Sequence, residues 1–371
     1  MRGLTPPTTM QIRAWVHHQA EAPPQLESLT LDVPRPDEVL VRLAACGVCH
    51  TDLFAPRRAA LPAVFGHEGA GIVEAVGSRV TRLKPGDRVV LTFGSCGGCR
   101  NCRDGAPAYC MNGHELQFGG TRADGSATLA SPSGTVHGAF FQQSSFATHA
   151  LATERNAVPI PASLPLELAA PLGCGVQTGA GAVLNTLACE PRSSLAIFGV
   201  GSVGLSAVMA AGIARCEPII AIDIRPERLE LAVELGATHV INARAGEVAE
   251  EIRDLTNGGA DFSLETAGAE QSFKDAIDCL ARLGTCGLCT VPRLGAPIEF
   301  SPLSILKGRT VTGVLEGSSV PEEFIPRLAG LYLDGLFPYD RLVSFYDFAD
   351  LPRALADAEA GRAIKPVIRM S

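Results

Sequence analysis

The stretch Ile197-Phe198-Gly199-Val200-Gly201-Ser202-Val203-Gly204 decides the fold. It closes one apolar run, Leu195–Val200, and opens another, Gly204–Ala214, with the spacing G-x-G-x-x-G at the junction. In such a turn Gly199 lets the chain reverse tightly and Gly201 lets backbone approach a pyrophosphate. Gly204 lets helix pack close to strand, and the helix start at Val200, Ser202 and Val203 faces the phosphate charge. Glycine-rich turns are common, so the motif alone is weak. Asp223, however, ends the next apolar run, where a carboxylate can accept both ribose hydroxyls. Together these parts read as a dinucleotide site; a helix-packing glycine set with a capping Asp is the competing reading. Asp223 repels a 2′-phosphate, which favours NAD over NADP. Arg225 and Arg228 lie close by and could pair with one.

Outward from this turn, strand-like runs alternate with helical ones. The strands are expected at Leu195–Val200, Ile219–Asp223, His239–Ile241, Phe262–Glu265, Cys286–Val291 and Thr310–Val314. The helices are expected at Gly204–Ala214, Pro226–Leu235, Glu247–Leu255 and Ser272–Leu283. The pattern is that of an α/β fold with a doubly wound parallel sheet. Before it, short β-branched runs (Ile12–Val16, Glu38–Leu43, Gly71–Val76, Arg88–Leu91) with Pro and Gly punctuation suggest a smaller β-rich domain. Residues 94–140 read as loop. Val320–Ser371 is expected to rejoin the first domain. The expected domains are therefore 1–175 with 317–371, and 176–316.

The chain has 371 residues, 46% of them hydrophobic, enough apolar surface for two cores. Its net charge of −8, without basic runs, argues against nucleic acid or anionic membrane as partner. Met1–Met10 lacks an apolar core segment, so no secretory signal is read and a cytoplasmic location is expected. Ser193–Ala214 carries no charge and is long enough to span a bilayer, but its glycine turn splits it in two.

Twelve cysteines then point to metal more than to disulfides. Cys96-x2-Cys99-x2-Cys102-x7-Cys110 puts four thiols close together among glycines. Four thiolates close a tetrahedral shell around zinc and leave no open position, which makes the site structural. An iron–sulfur cluster competes, but the fourth spacing and the missing Cys-Pro count against it. Two disulfides are a third, weaker reading.

Three more segments, Gly47-Val48-Cys49-His50-Thr51-Asp52, Gly66-His67-Glu68-Gly69 and Gly173-Cys174-Gly175, are unremarkable one by one. With the four-cysteine lobe (residues 94–112) and the dinucleotide turn, in this order along the chain, they resemble the zinc-dependent medium-chain alcohol dehydrogenases. Leu172–Gly181 together with Gly47–Asp52 is most similar to the aryl (benzyl) alcohol dehydrogenase branch.

The resemblance implies a GroES-like catalytic domain interrupted by a Rossmann domain. It implies two zinc ions per chain, and a catalytic one on Cys49, His67 and Cys174. Cys46 is then core, as are Cys189, Cys216, Cys279, Cys286 and Cys289. Thr51 matches the hydroxyl that bonds the alcohol oxygen, Asp52 would orient His67, and Glu68 stands beside the metal. His50 would reach the pyrophosphate, Thr178 the nicotinamide and Lys365 a cofactor phosphate. Phe54, Phe93, Leu116, Phe140 and Phe141 fall at substrate-pocket positions. Phe54 replaces a proton-relaying histidine of liver-type members, and Arg57 and Arg58 mark an altered rim.

The implied reaction is reversible, NAD-dependent oxidation of primary aromatic or allylic alcohols to aldehydes by hydride transfer, in a homodimer or homotetramer. Geraniol-type, aliphatic or glutathione-dependent formaldehyde dehydrogenases of the same family remain alternatives. So do a zinc-free quinone or enone reductase and a non-catalytic scaffold.

Overall fold

The glycine turn leaves the middle of a six-stranded sheet in which every pairing is parallel. The order across the sheet is His239–Asn242, Ile219–Asp223, Leu195–Phe198, Ala260–Glu265, Leu280–Leu288, Thr310–Gly313. Strand order reverses at Leu195–Phe198, so Gly199 and Asp223 emerge at the crevice where such sheets bind ligands. All four residues of Leu195–Phe198 are buried, as a strand covered on both faces requires. The computed structural model describes residues 9–290, 297–299 and 301–370. Val291, in one expected strand, lies outside them.

The uncharged stretch is divided between Leu195–Phe198 and the helix Ser202–Ala214. Among the described residues no helix is long and apolar enough to cross a membrane. One expected helix is corrected. It spans Glu270–Asp278 only, and Leu280 already begins a strand. Leu283, whose apolar side chain suggested a helix face, is 79% exposed with φ of 65°, in an irregular stretch where the register shifts.

The β-rich unit holds two sheets. One runs Ala63–Val64, Met10–His17, Gln25–Leu31, Leu129–Ser131, Gly134–Val136. The other runs Ala157–Pro159, Arg88–Leu91, Glu68–Val76, Glu38–Gly47, Lys365–Arg369, Val343–Asp347, with His149–Thr153 also on Glu38–Gly47. The stretch 94–140, expected as loop, carries the short helices Arg100–Arg103 and Gly113–Phe118 besides the hairpin of the first sheet.

The β-rich unit takes the chain up to Cys174, Val320–Leu333 and from Asp340 onward; the nucleotide unit takes Gly175–Ser319 and Asp334–Tyr339. Two departures from the sequence-based boundaries have physical causes. Ser318 Oγ lies 2.7 Å from Thr186 Oγ1, and Ser319 Oγ donates to Gln177 Oε1 at 3.0 Å, which ties 317–319 to the nucleotide unit. Phe337 and Tyr339 are fully buried there, so Asp334–Tyr339 does not follow its flanks into the β-rich unit.

Candidate active site

Sheet register assembles the first cluster. Gly47 pairs with Glu68 on one side and Val367 on the other. Cys49, His67, Glu68 and Lys365, from three distant parts of the chain, therefore meet at one sheet end. Cys174 arrives on the turn Ala170–Gly173, held by Thr92 Oγ1 donating to Gly173 O at 2.7 Å. One ligand atom from each of Cys49, His67, Glu68 and Cys174 lies within 4.8 Å of all the others.

Asp52 does two local jobs. Its Oδ2 accepts from Cys49 N at 2.9 Å, capping the short helix His50–Phe54. Its Oδ1 accepts from Gly66 N at 3.1 Å and meets His67 Nδ1 at 2.8 Å. With the ring proton on Nδ1, the Nε2 lone pair points into the cluster. That atom is buried without a hydrogen-bond partner. The Cys49 and Cys174 sulfurs are 4.0 Å apart. Two thiolates at ~2.3 Å from one tetrahedral ion would stand ~3.8 Å apart. An orphaned imidazole nitrogen and two thiols at metal-sharing distance fit a zinc ion held by Cys49, His67 and Cys174.

The electrostatics agree with that donor set. Cys174 beside it and His67 hold the Cys49 thiol well below its ordinary range, against burial. Burial opposes charge on His67, yet Asp52 and Cys49 outweigh it and hold the imidazole well above its usual range. The pocket thus calls for a positive charge at Nε2, which a proton or a metal ion supplies.

Glu68 is fully buried, and its two carboxylate oxygens accept from Lys365 Nζ at 2.7 and 2.9 Å. Lys365 also donates to Val48 O at 3.2 Å and is 2% exposed. These bonds engage the ammonium group expected to reach a cofactor phosphate. All three ammonium hydrogens already have partners, and burial keeps the head away from solvent. Burial raises the Glu68 carboxyl despite Lys365.

Cys46, expected as core, is buried on Glu38–Gly47, outside the cluster, and burial pushes its thiol well up. Thr51 is half-buried with Oγ1 3.8 Å from Cys49 Sγ, and His50 is exposed with its ring 5.0 Å from Phe54.

Aromatic rings cover His67. Phe141 lies 4.4 Å from the imidazole centroid and Phe140 5.6 Å. Phe118, which the sequence reading missed, packs on both at 5.4 and 5.9 Å. Its signal was available, two residues beyond Leu116 on the helix Gly113–Phe118. Phe93 is buried in the same apolar cluster. Phe54 is not gathered with these rings. It is 41% exposed beneath Arg58, while Arg57 is taken by Glu21 at 2.9 Å. Gln143 was also missed; its buried amide donates to His67 O and Thr92 O and accepts from Gly69 N.

In the lobe, Cys96, Cys99, Cys102 and Cys110 bring their sulfurs within 4.8 Å of one another. The pairs Cys96–Cys102 and Cys99–Cys110 are each 4.0 Å apart, far beyond the ~2.05 Å of a disulfide. Cys96 N, Cys99 N and Met111 N donate to sulfurs of the set, and such bonds bring the half-buried Cys99 thiol down to about 6. Cys96 is lowered as well, whereas burial raises Cys102 and Cys110; four sulfurs gathered this closely fit a structural zinc. The remaining cysteines, Cys189, Cys216, Cys279, Cys286 and Cys289, are free thiols, none in a metal-holding group among the described residues.

At the glycine turn, Gly199 has φ of +84°, and a Cβ on Gly204 would lie 1.9 Å from Gly199 O. Gly201 has nothing closer than Arg228 at 4.0 Å, so its backbone is open to a pyrophosphate. Asp223 Oδ2 accepts from Val200 N at 2.9 Å, and Oδ1 from Ile224 N and Arg225 N. The carboxylate does cap the turn, and it also lines a cavity of about 530 Å³ with Gly199. Arg228 stands 3.9 Å from Asp223. Thr178 is buried on the helix Gly175–Gly181.

Residues 202–331 match the zinc-binding dehydrogenase family and residues 35–162 the alcohol dehydrogenase GroES-like domain. The chain is 46% identical over 361 residues to a geraniol dehydrogenase of Castellaniella defragrans, covering 96% of this chain and 97% of that one. A crystal structure of an alcohol dehydrogenase zinc-binding domain protein from Burkholderia ambifaria matches with a TM-score of 0.96 and 50% identity, over 98% of this chain and all (100%) of that one. Benzyl alcohol dehydrogenase from Acinetobacter calcoaceticus matches with a TM-score of 0.94 and 44% identity, over 98% and 100%. The chain belongs to the zinc-dependent medium-chain alcohol dehydrogenase family, with its GroES-like domain and parallel Rossmann-like sheet.

Proposed function

We propose that this enzyme oxidises primary aromatic or allylic alcohols reversibly to aldehydes, with NAD as hydride acceptor. The aromatic wall on His67 carries the reading. Phe141, Phe140 and Phe118 offer flat apolar surface next to the metal-holding side chains, which favours a planar substrate over a small aliphatic one. The benzyl alcohol and geraniol dehydrogenases among its relatives support the same class. Asp223, facing the nucleotide cavity, supports NAD over NADP.

When bound, zinc supplies a Lewis acid for the alcohol oxygen and NAD the two-electron sink. The chain does the rest. Cys49, His67 and Cys174 hold the metal, and Asp52 fixes the His67 tautomer. Thr51 would accept the hydrogen bond of the alcohol hydroxyl and hand on its own proton as it receives that one, by way of the cofactor ribose and solvent or of exposed His50, since Phe54 cannot relay one. Glu68, paired with Lys365, sets the charge beside the ligands.

NADH formation with benzyl alcohol, cinnamyl alcohol, geraniol, ethanol and hydroxymethylglutathione, with zinc measured on the same sample, tests the proposal. Preference for the aromatic and allylic alcohols, two zinc per chain and loss of activity in Cys174→Ala are expected. Full activity without metal, or a preference for ethanol or hydroxymethylglutathione, refutes it.

A further inference from the structure

The cavity beside the glycine turn has a polar wall that the ribose-binding carboxylate does not account for. Its apolar surface includes Ile222, Ile224, Val248 and Ala269. On the helix Glu270–Asp278, Gln271 and Asp275 stand one turn apart on the same face, both lining the cavity. Gln271 Nε2 donates to Asp275 Oδ1 at 3.0 Å. Gln271 is exposed and Asp275 half-buried, and their bond leaves Gln271 Oε1 and Asp275 Oδ2 as acceptors with no hydrogen-bond partner among the described residues. Glu247 adds another carboxylate to the lining, and no lysine, arginine or histidine appears in it. Burial raises the Asp275 carboxyl, with Asp278 and Glu247 adding to the rise against the bond from Gln271. The wall is rich in acceptors and short of donors.

We propose that Asp275, positioned by Gln271, reads the exocyclic amino group of the cofactor's adenine, so that this chain selects an adenine dinucleotide over its hypoxanthine counterpart. The proposal rests on the NAD reading above and goes beyond it. A 6-amino group brings two N–H donors to a wall made of acceptors. A 6-oxo group in the same place sets lone pairs against a carboxylate, and both lose water without gaining a partner. A hydrogen bond to a charged group of this kind separates the two bases by about ten- to hundredfold in affinity.

The test is calorimetric titration of the zinc-loaded, full-length protein with NADH and with reduced nicotinamide hypoxanthine dinucleotide. NADH is expected to bind at least about tenfold more tightly. In Asp275→Asn the amide can turn a donor toward the 6-oxo group, so the ratio should collapse toward one, chiefly by tighter binding of the hypoxanthine form. Binding of both dinucleotides with equal affinity to the unaltered protein refutes the amine reading and leaves the NAD reading standing. Binding of neither overturns the NAD reading itself. A ratio unchanged in Asp275→Asn, with an unchanged melting temperature, removes Asp275 from the role. Should that variant not fold, the ratio measured on the unaltered protein still decides the proposal.

Discussion

Asp52→Asn changes one atom and strikes two functions at once. The side chain is 2% exposed, with Oδ2 bonded to Cys49 N and Oδ1 to Gly66 N and His67 Nδ1. Asparagine has one acceptor oxygen and one NH2 group, so in either orientation a donor faces a donor. Keeping oxygen toward Gly66 and His67 is the better choice, because it retains two bonds. The bond from Cys49 N that caps the helix is then lost. Cys49 N–H is left facing an amide hydrogen in a partly buried place, at roughly 1–3 kcal/mol for bond and stranded donor together.

Unfolding free energy should fall by about 1–3 kcal/mol. Loss of the carboxylate also lowers the basicity of His67, which weakens metal binding by about 10–100-fold. Denaturant unfolding with and without chelator reads the first effect, and competition with a chromogenic chelator reads the second. The four-cysteine lobe serves as an internal control, since Asp52 bonds to none of it. One zinc equivalent should leave more readily and the other should not. Unchanged affinity of both equivalents together with an unchanged unfolding midpoint would refute the assignment of Asp52 as orienter of a metal-binding imidazole.

Lys365→Met strands the buried Glu68 carboxylate and Glu68→Gln strands the buried ammonium. Each single change should destabilise by about 3–5 kcal/mol and the double change by much less, as a double-mutant cycle in denaturant unfolding will show. Simple additivity of the two counts against the pair. Cys99→Ser opens the lobe; metal analysis should drop by one zinc per chain and the melting temperature should fall, whereas retention of both zinc ions argues against a four-thiolate site. His17, whose ring lies 5.3 Å from Phe65, is held by burial at about 4, against 6.5 for the ordinary side chain. The unfolded chain therefore binds the extra proton between those values. Stability from this group is complete above about pH 6.5 and is lost as pH falls toward 4, by about 3 kcal/mol in all. In His17→Phe that part of the pH dependence should vanish from unfolding free energies measured across the window; parallel curves for the two proteins contradict it.

What can be read without the structure is what neighbours along the chain decide. The G-x-G-x-x-G turn is local, because the left-handed backbone at Gly199 and the close approach at Gly204 depend on residues a few positions apart. The cysteine lobe is local too, since all its thiols lie within the short span Cys96–Cys110. The strands of the parallel sheet follow from apolar runs and turn residues, but irregular places do not. Leu283 looks like a helix face and is an exposed bulge residue, because side-chain pattern alone cannot tell a short strand with a register shift from a last helical turn.

The candidate catalytic cluster was nameable only through resemblance, because nothing in the spacing of Cys49, His67 and Cys174 brings them together. Pairing of Gly47 with Glu68 and with Val367 does that, and a sheet's register is a property of all its strands. The same register decided that Lys365 meets Glu68. Burial at Phe337 and Tyr339 decided which unit holds Asp334–Tyr339. The sequence by itself thus determined the fold class, the dinucleotide turn and the thiol lobe, each built on short-range backbone geometry. Tertiary structure alone decided which distant groups share one buried space, since only packing can set their distances and desolvate them together.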